Sequence, residues 1–308
     1  MWNFLKLTTL NLLKKTKNKN FRKFKFVFSI LIVVITIVLF YRFLSSHHAI
    51  IILLQKLSLL FILKILFLYI IVLGLLIYIL KSSLKLVDLK LSFFENLLIN
   101  CYSLMINFFM FGQAGPGLRA VYLKSKFNLK IKKFFYLTAL YYFFYFLISL
   151  SLIILSLLNT WYIYLSIIFV LVGLVSLLSF KNNRFINLQK RLKGSFKLFL
   201  FTLMQIVVQT IIFGLELNLV SKVSYTQLLS YSGFANISLF ASITPAGIGI
   251  RESVLLLSKR ISQLSSSTIV SASLIDRSIY IMFLLLVLVF LFFFHSTDIF
   301  KKIKTIKN

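Results

Sequence analysis

The hydrophobic positions of this chain fall into long runs separated by short basic segments. Six runs, residues 26–44, 57–80, 134–158, 161–180, 198–220 and 268–294, are apolar nearly throughout. A bilayer-spanning helix needs about 20 such residues, so each run predicts a crossing. Two further stretches, 91–123 and 227–257, begin in the same way and are then interrupted, the first by Gly112-Gln113-Ala114-Gly115-Pro116-Gly117 and the second by Thr244-Pro245-Ala246-Gly247-Ile248-Gly249.

The basic segments decide how the interrupted stretches lie. If all eight stretches crossed, Arg119, Lys124, Lys126, Lys130, Lys132 and Lys133 would face away from the basic amino terminus, as would Lys181, Arg184, Lys190, Arg191, Lys193 and Lys197. If both interrupted stretches dip in and return, six crossings remain. Every strongly basic segment, with Lys301, Lys302, Lys304 and Lys307 at the carboxy terminus, then lies on one side, as the positive-inside rule requires. The expected fold is therefore an all-α integral membrane protein of about six transmembrane helices plus two re-entrant Gly/Pro hairpins, one entering from the cytoplasm and the other from outside. Backbone at a hairpin tip must be buried in protein or line a wet cavity, because a lipid-exposed amide without a partner costs several kcal/mol.

The two tips also repeat each other. Ala114-Gly115-Pro116-Gly117-Leu118-Arg119 aligns with Ala246-Gly247-Ile248-Gly249-Ile250-Arg251, the matching Ala, Gly and Arg standing 132 residues apart, and Leu123 and Leu255 keep that offset. The expected organisation is a basic cytoplasmic segment 1–25, a membrane half 26–158 with its hairpin at 91–123, a second half 159–294 with its hairpin at 227–257, and a basic cytoplasmic tail 295–308. The same order of elements in opposite orientation is the signature of an inverted-topology repeat, in which matching interrupted segments point to a midplane transport site.

Composition narrows the chemistry. Hydrophobic residues make up 60% and charged residues 13% of the chain, and the mean hydropathy is +0.99, which excludes a water-soluble fold. Thirty-five Lys and Arg against six Asp and Glu give a formal charge of +29. That balance would fit nucleic acid in a soluble protein, but here the cations sit between apolar runs and predict anionic lipid headgroups as partners. Cys101 is the one cysteine, and His47, His48 and His295 fall into no metal-ligand spacing with it, so no disulfide, metal or other cofactor is expected. The eight basic residues before the run at 26–44 are followed by no small-residue cleavage site, which reads as a retained helix. No nucleophile triad, phosphate-binding loop or nucleotide fingerprint is present, so an enzyme is not the expected function.

The candidate binding residues lie at the tips and in the last run. A helix amino terminus offers unpaired amides and about half a positive charge to a phosphate or carboxylate. Gly115, Gly117, Gly247 and Gly249 allow close backbone approach, and Pro116 and Pro245 punctuate the turns. Arg119 and Arg251 fall in the first turn after each tip, either as bidentate grips on a phosphate or as ordinary headgroup anchors. Glu252 either favours its helix start on dipole grounds or acts as a protonatable, salt-bridging gate. Asp276 and Arg277 lie within the last run, where ionisable side chains are costly and tend to mark a pathway; Arg277 is the favoured one because Asp276 stands beside it. Lys64 is read as snorkelling to the interface, and Glu216 as lying near a helix end.

The element Thr244-Pro245-Ala246-Gly247-Ile248-Gly249-Ile250-Arg251-Glu252, followed by Asp276-Arg277-Ser278-Ile279-Tyr280, resembles the lysylphosphatidylglycerol synthetase membrane-region family of flippase-like proteins, over about residues 20–295. The resemblance implies a bacterial or archaeal inner-membrane protein, and the basic segments at both ends place the two termini in the cytoplasm. Some members of that family translocate aminoacylated phosphatidylglycerol, and others are associated with glycolipid or polyprenyl-linked sugar assembly. It carries over Pro245, Gly247, Gly249, Arg251, Glu252 and Arg277, with Gly115, Gly117 and Arg119 in the first half. Two departures stand out: the aminoacyl-transferase domain of fused members is absent, and so is the acidic residue after the first tip. The expected function is translocation of an anionic lipid headgroup between leaflets, with loss of transport but not of folding in Arg251→Ala. The alternative is a scaffold that recruits a glycosyltransferase or an aminoacyl-lipid enzyme through its basic loops.

Overall fold

The computed structural model describes residues 57–109, 114–157, 168, 188–241 and 250–307. The segment 1–25, the run 26–44, nearly all of the run 161–180, and the second tip with Pro245, Gly247 and Gly249 lie outside the described residues. All the described secondary structure is helical: α1 (Leu59–Lys85), α2 (Phe93–Phe109), α3 (Gly115–Phe127), α4 (Ile131–Leu157), α5 (Leu188–Val220), α6 (Tyr225–Ala241), α7 (Ile250–Leu257), α8 (Lys259–Ser262) and α9 (Ser266–Lys307).

Local chemistry sets the ends of these helices. The Ser58 hydroxyl accepts a bond from the amide of Phe61 at 3.2 Å and starts α1. At the other end Asp88 takes a left-handed conformation with φ 61°. The amides of Asp88 and Leu89 donate back to the carbonyls of Lys85 and Leu84 at 3.3 and 3.0 Å, closing the last turn. Pro116, in the first turn of α3, has the fixed φ that suits a helix start.

Among the described residues, four helices are long and apolar enough to cross a membrane: Leu59–Lys85, Ile131–Leu157, Gly194–Val220 and Ser266–Phe294. They coincide with the four described sequence runs. The 27 residues of α1 extend about 40 Å, enough to cross a hydrocarbon core of about 30 Å with some tilt. Leu60, Phe67 and Ile70 of α1, Val207 and Ile211 of α5, and Val289, Phe292 and Phe293 of α9 are exposed, forming an apolar outer surface that suits lipid. Lys64 is exposed as well, free to extend along its helix.

The packing follows the sequence repeat. The 132-residue offset carries α2, Phe93–Phe109, end to end onto α6, Tyr225–Ala241. The pairs α1–α2, α2–α3, α3–α4 and α1–α4 are all in contact, and so are their counterparts α5–α6, α6–α7, α7–α9 and α5–α9. Across the halves, α4–α6 matches α2–α9, and α4–α5 matches α1–α9. Leu123 and Leu255, one offset apart, are both fully buried at 0% exposure. The equivalent helices α1 and α5 run antiparallel: Tyr78 stacks on Phe201 with centroids 5.3 Å apart, while Leu86, just past the end of α1, meets Gly194, earlier on α5.

Helix α3 folds back along α2. Its first residues touch Ser103 and Asn107, and its end returns to Glu95, which accepts bonds from Lys126 at 2.5 Å and from the Tyr122 hydroxyl. Glu95 is thus paired, as a carboxylate in an apolar stretch must be. Because Lys126 is nearly half exposed (46%), Lys126→Met is expected to lower stability by no more than about 1 kcal/mol. A thermal melt in detergent would check this.

Between the two halves, α6 packs against α4 at Gly233. A Cβ there would lie 2.5 Å from Ile153 and 2.9 Å from the Ser149 carbonyl. Small residues are what allow two membrane helices to approach this closely.

Candidate functional site

In the second half, α7 carries Arg251 and Glu252 in its first turn and packs against α9, which carries Asp276 and Arg277. The two adjacent pairs cross over. Arg251 Nη2 lies 2.5 Å from Asp276 Oδ2, and Arg277 Nη2 lies 2.6 Å from Glu252 Oε1. This corrects the expectation that Arg277 pairs with its neighbour Asp276. Successive helix residues point about 100° apart, so each finds its partner across the helix interface instead. It also changes the reading of Arg251, whose guanidinium is engaged by a carboxylate within the fold.

Other helices complete the cluster. Tyr69 of α1 donates its hydroxyl to Asp276 Oδ1 at 2.5 Å, and its ring is held against Tyr280 and Phe283 with centroids 5.3 and 5.4 Å away. Ser273 donates to Glu252 Oε1 at 3.4 Å. The Phe213 ring of α5 lies 6.0 Å from the Arg251 guanidinium, a cation–π distance.

From α5 comes Glu216, which is 1% exposed and interacts electrostatically with Asp276 and Arg251. The sequence places it near a helix end. Tertiary packing of α5 against α1, α6 and α9 buries it. Three of the chain's six acidic residues, Glu216, Glu252 and Asp276, therefore gather around two arginines.

The first half is built differently at equivalent positions. Asn107 Oδ1 accepts the Gly115 amide at 2.6 Å, and a Cβ on Gly115 would lie 2.6 Å from that oxygen and from the Ser103 carbonyl. Gly115 is thus held close against α2, whereas nothing lies within 4 Å of a Cβ placed on Gly117. The expected row of unpaired amides is also reduced, because Asn107 occupies the Gly115 amide and Pro116 has none to offer.

Arg119 is half-buried and donates from Nε to the Ser103 hydroxyl at 2.9 Å, with Tyr141 and Tyr142 of α4 close enough to interact electrostatically. Among the described residues no carboxylate lies within ion-pair distance of it. The reason is in the chain. One offset back from Glu252, Asp276 and Arg277 stand Ala120, Phe144 and Tyr145, and the Tyr145 hydroxyl is held by Gln209 and Asn236 at 2.9 Å each.

Arg119 and Arg251 therefore have different partners, although Tyr145, on the same helix as Tyr141 and Tyr142, interacts electrostatically with Arg251. The structure brings Arg251, Glu252, Asp276 and Arg277 together, gives Arg119 a hydroxyl instead of a carboxylate as partner, and adds Tyr69, Glu216, Ser103 and Asn107. Of these four only Glu216 carried a signal, as an acid within an apolar run; tyrosine, serine and asparagine are too common in such runs to stand out. No protein-family model matches the chain, and no curated protein matches it.

Proposed function

We propose that this protein is a lipid translocase of the bacterial or archaeal cell membrane that passes an anionic lipid headgroup between the leaflets. The observation that carries this reading is the contrast between the two repeat-related arginines. Arg251 is neutralised by Asp276, whereas Arg119 has a hydroxyl for its partner. An arginine at membrane depth without a counter-charge is costly, and a phosphate or carboxylate headgroup docked on its remaining donors removes that cost through charge-assisted hydrogen bonds.

The antiparallel relation of α1 to α5 and the matched packing of the two halves support an inverted-topology repeat, the organisation through which transporters alternate access around a midplane site. In this reading α2–α3 and α6–α7 are re-entrant hairpins that do not cross, and the four long apolar helices together with the runs 26–44 and 161–180 make six crossings. The resemblance to flippase-like membrane regions agrees with it.

The test is transfer of fluorescent anionic and neutral phospholipids by purified protein in liposomes. Loss of a charge-assisted contact worth about 1.5–3 kcal/mol predicts that Arg119→Ala slows anionic transfer roughly tenfold to a hundredfold. Arg119→Lys is expected to retain part of the rate, since it keeps the charge and loses the fork. Unchanged transfer in Arg119→Ala would overturn the assignment. If neutralising Lys181, Arg184, Lys190, Arg191, Lys193 and Lys197 instead abolishes function in cells while Arg119→Ala does not, the chain recruits a glycosyltransferase or other lipid enzyme.

A further inference from the structure

Glu216 is the most deeply placed charge among the described residues that the ion pairs do not use. It is 1% exposed, and neither carboxylate oxygen has a hydrogen-bond partner among the described residues. The titratable and charged groups that face it are Tyr69 of α1, Tyr231 of α6, Arg251 of α7 and Asp276 of α9. The Glu252–Arg277 pair belongs to the same cluster. Helix α4 packs on α5 through Tyr141 and Tyr145, whose hydroxyls are held by Gln205 and Gln209.

With all groups ionised the cluster holds three carboxylates against two guanidiniums. Both arginines are committed at 2.5 and 2.6 Å to Asp276 and Glu252, so the excess negative charge falls on Glu216. A buried carboxylate without a counter-charge gives up its charge by binding a proton. The Tyr231 hydroxyl, 1% exposed and without a partner of its own among the described residues, lies in the same cluster as a potential donor or acceptor.

We propose that Glu216 is a proton-binding site, loaded and emptied as the Arg251–Asp276 pair opens and closes, and that this proton is the coupling ion of transport. With Glu216 protonated the cluster is neutral and the closed ion pairs are favoured. With Glu216 ionised, a second carboxylate competes with Asp276 for Arg251 and loosens the hold of α7 on α9. A proton fits better than a metal cation: the Asp276 oxygens are occupied by Tyr69 and Arg251, and no group of three His, Cys, Asp or Glu side chains that could hold a metal is found among the described residues.

The coupling half of this inference rests on the translocase reading, and two measurements on the same liposomes separate them. Infrared difference spectra across a pH titration should show the carbonyl stretch of a protonated carboxylic acid, lost in Glu216→Gln and kept in Glu252→Gln. Absence of the band, or its survival in Glu216→Gln, would overturn the proton site.

In parallel, with one proton carried per lipid, a one-unit pH gradient should sustain about a tenfold difference in anionic lipid between leaflets. This difference should vanish in Glu216→Gln and be unchanged when sodium is replaced by a large organic cation. Transfer indifferent to the gradient would overturn the coupling, and dependence on sodium would assign the site to a metal cation. A Glu216 band without any lipid movement would support the proton site and count against the translocase reading alone.

Discussion

Asp276→Leu is expected to destabilise the protein by about 3–5 kcal/mol, because it leaves the Arg251 guanidinium buried against Phe213 with its counter-charge gone. The side chains of Arg251 and Asp276 are 13% and 4% exposed, so little solvent is available to compensate. Arg251→Met should cost a similar amount by stranding the Asp276 carboxylate. The double variant Arg251→Met, Asp276→Leu should recover most of the loss, since replacing both members of a buried ion pair by apolar side chains is often neutral. The measurement is a double-mutant cycle on unfolding in detergent. Simple additivity of the two single losses would mean that the pair is not coupled. This expectation revises the one drawn from the sequence, in which Arg251→Ala lost transport but not folding: with Asp276 as its partner, the variant should lose folded protein as well.

The second large effect contrasts two glycines of one motif. In Gly115→Ala the new Cβ must occupy a space 2.6 Å from the Ser103 carbonyl and from Asn107 Oδ1. Helix α3 can make room only by moving away from α2, which breaks the Asn107 cap and draws Arg119 from Ser103. Overpacking of this kind costs about 1–3 kcal/mol, and anionic lipid transfer should fall with it. In Gly117→Ala the methyl enters open space, so folding should be unharmed, or gain about 0.5–1 kcal/mol from the better helix former. Loss of transfer in Gly117→Ala with folding intact would show that lipid approaches the backbone at that tip. Thermal melts and transfer assays on the pair separate these outcomes, and equal destabilisation by both substitutions would refute the close contact at Gly115.

The crossing helices and the repeat were legible because they depend on composition and spacing alone. A run of apolar residues long enough for a bilayer specifies a helix wherever it sits, and Ala-Gly-x-Gly-x-Arg recurring 132 residues apart needs no fold to be seen. The end-to-end match of α2 to α6 follows from that repeat. The sequence likewise determined which charges lie in apolar stretches, and so which must find partners.

Which partner each one finds was decided by tertiary structure. Arg277 had Asp276 beside it in the chain, yet helical geometry turns neighbours apart and the packing of α7 on α9 hands each residue to the other helix. Arg119 and Arg251 look alike in the sequence, and they differ because α4 brings tyrosines to one where α9 brings a carboxylate to the other. Glu216 lies near a helix end, and the surrounding helices enclose it. Runs and repeats are properties of one stretch of chain, whereas the charge state of a buried site depends on side chains from several helices, Tyr69 and Asp276 being 207 residues apart, and no local pattern encodes that meeting.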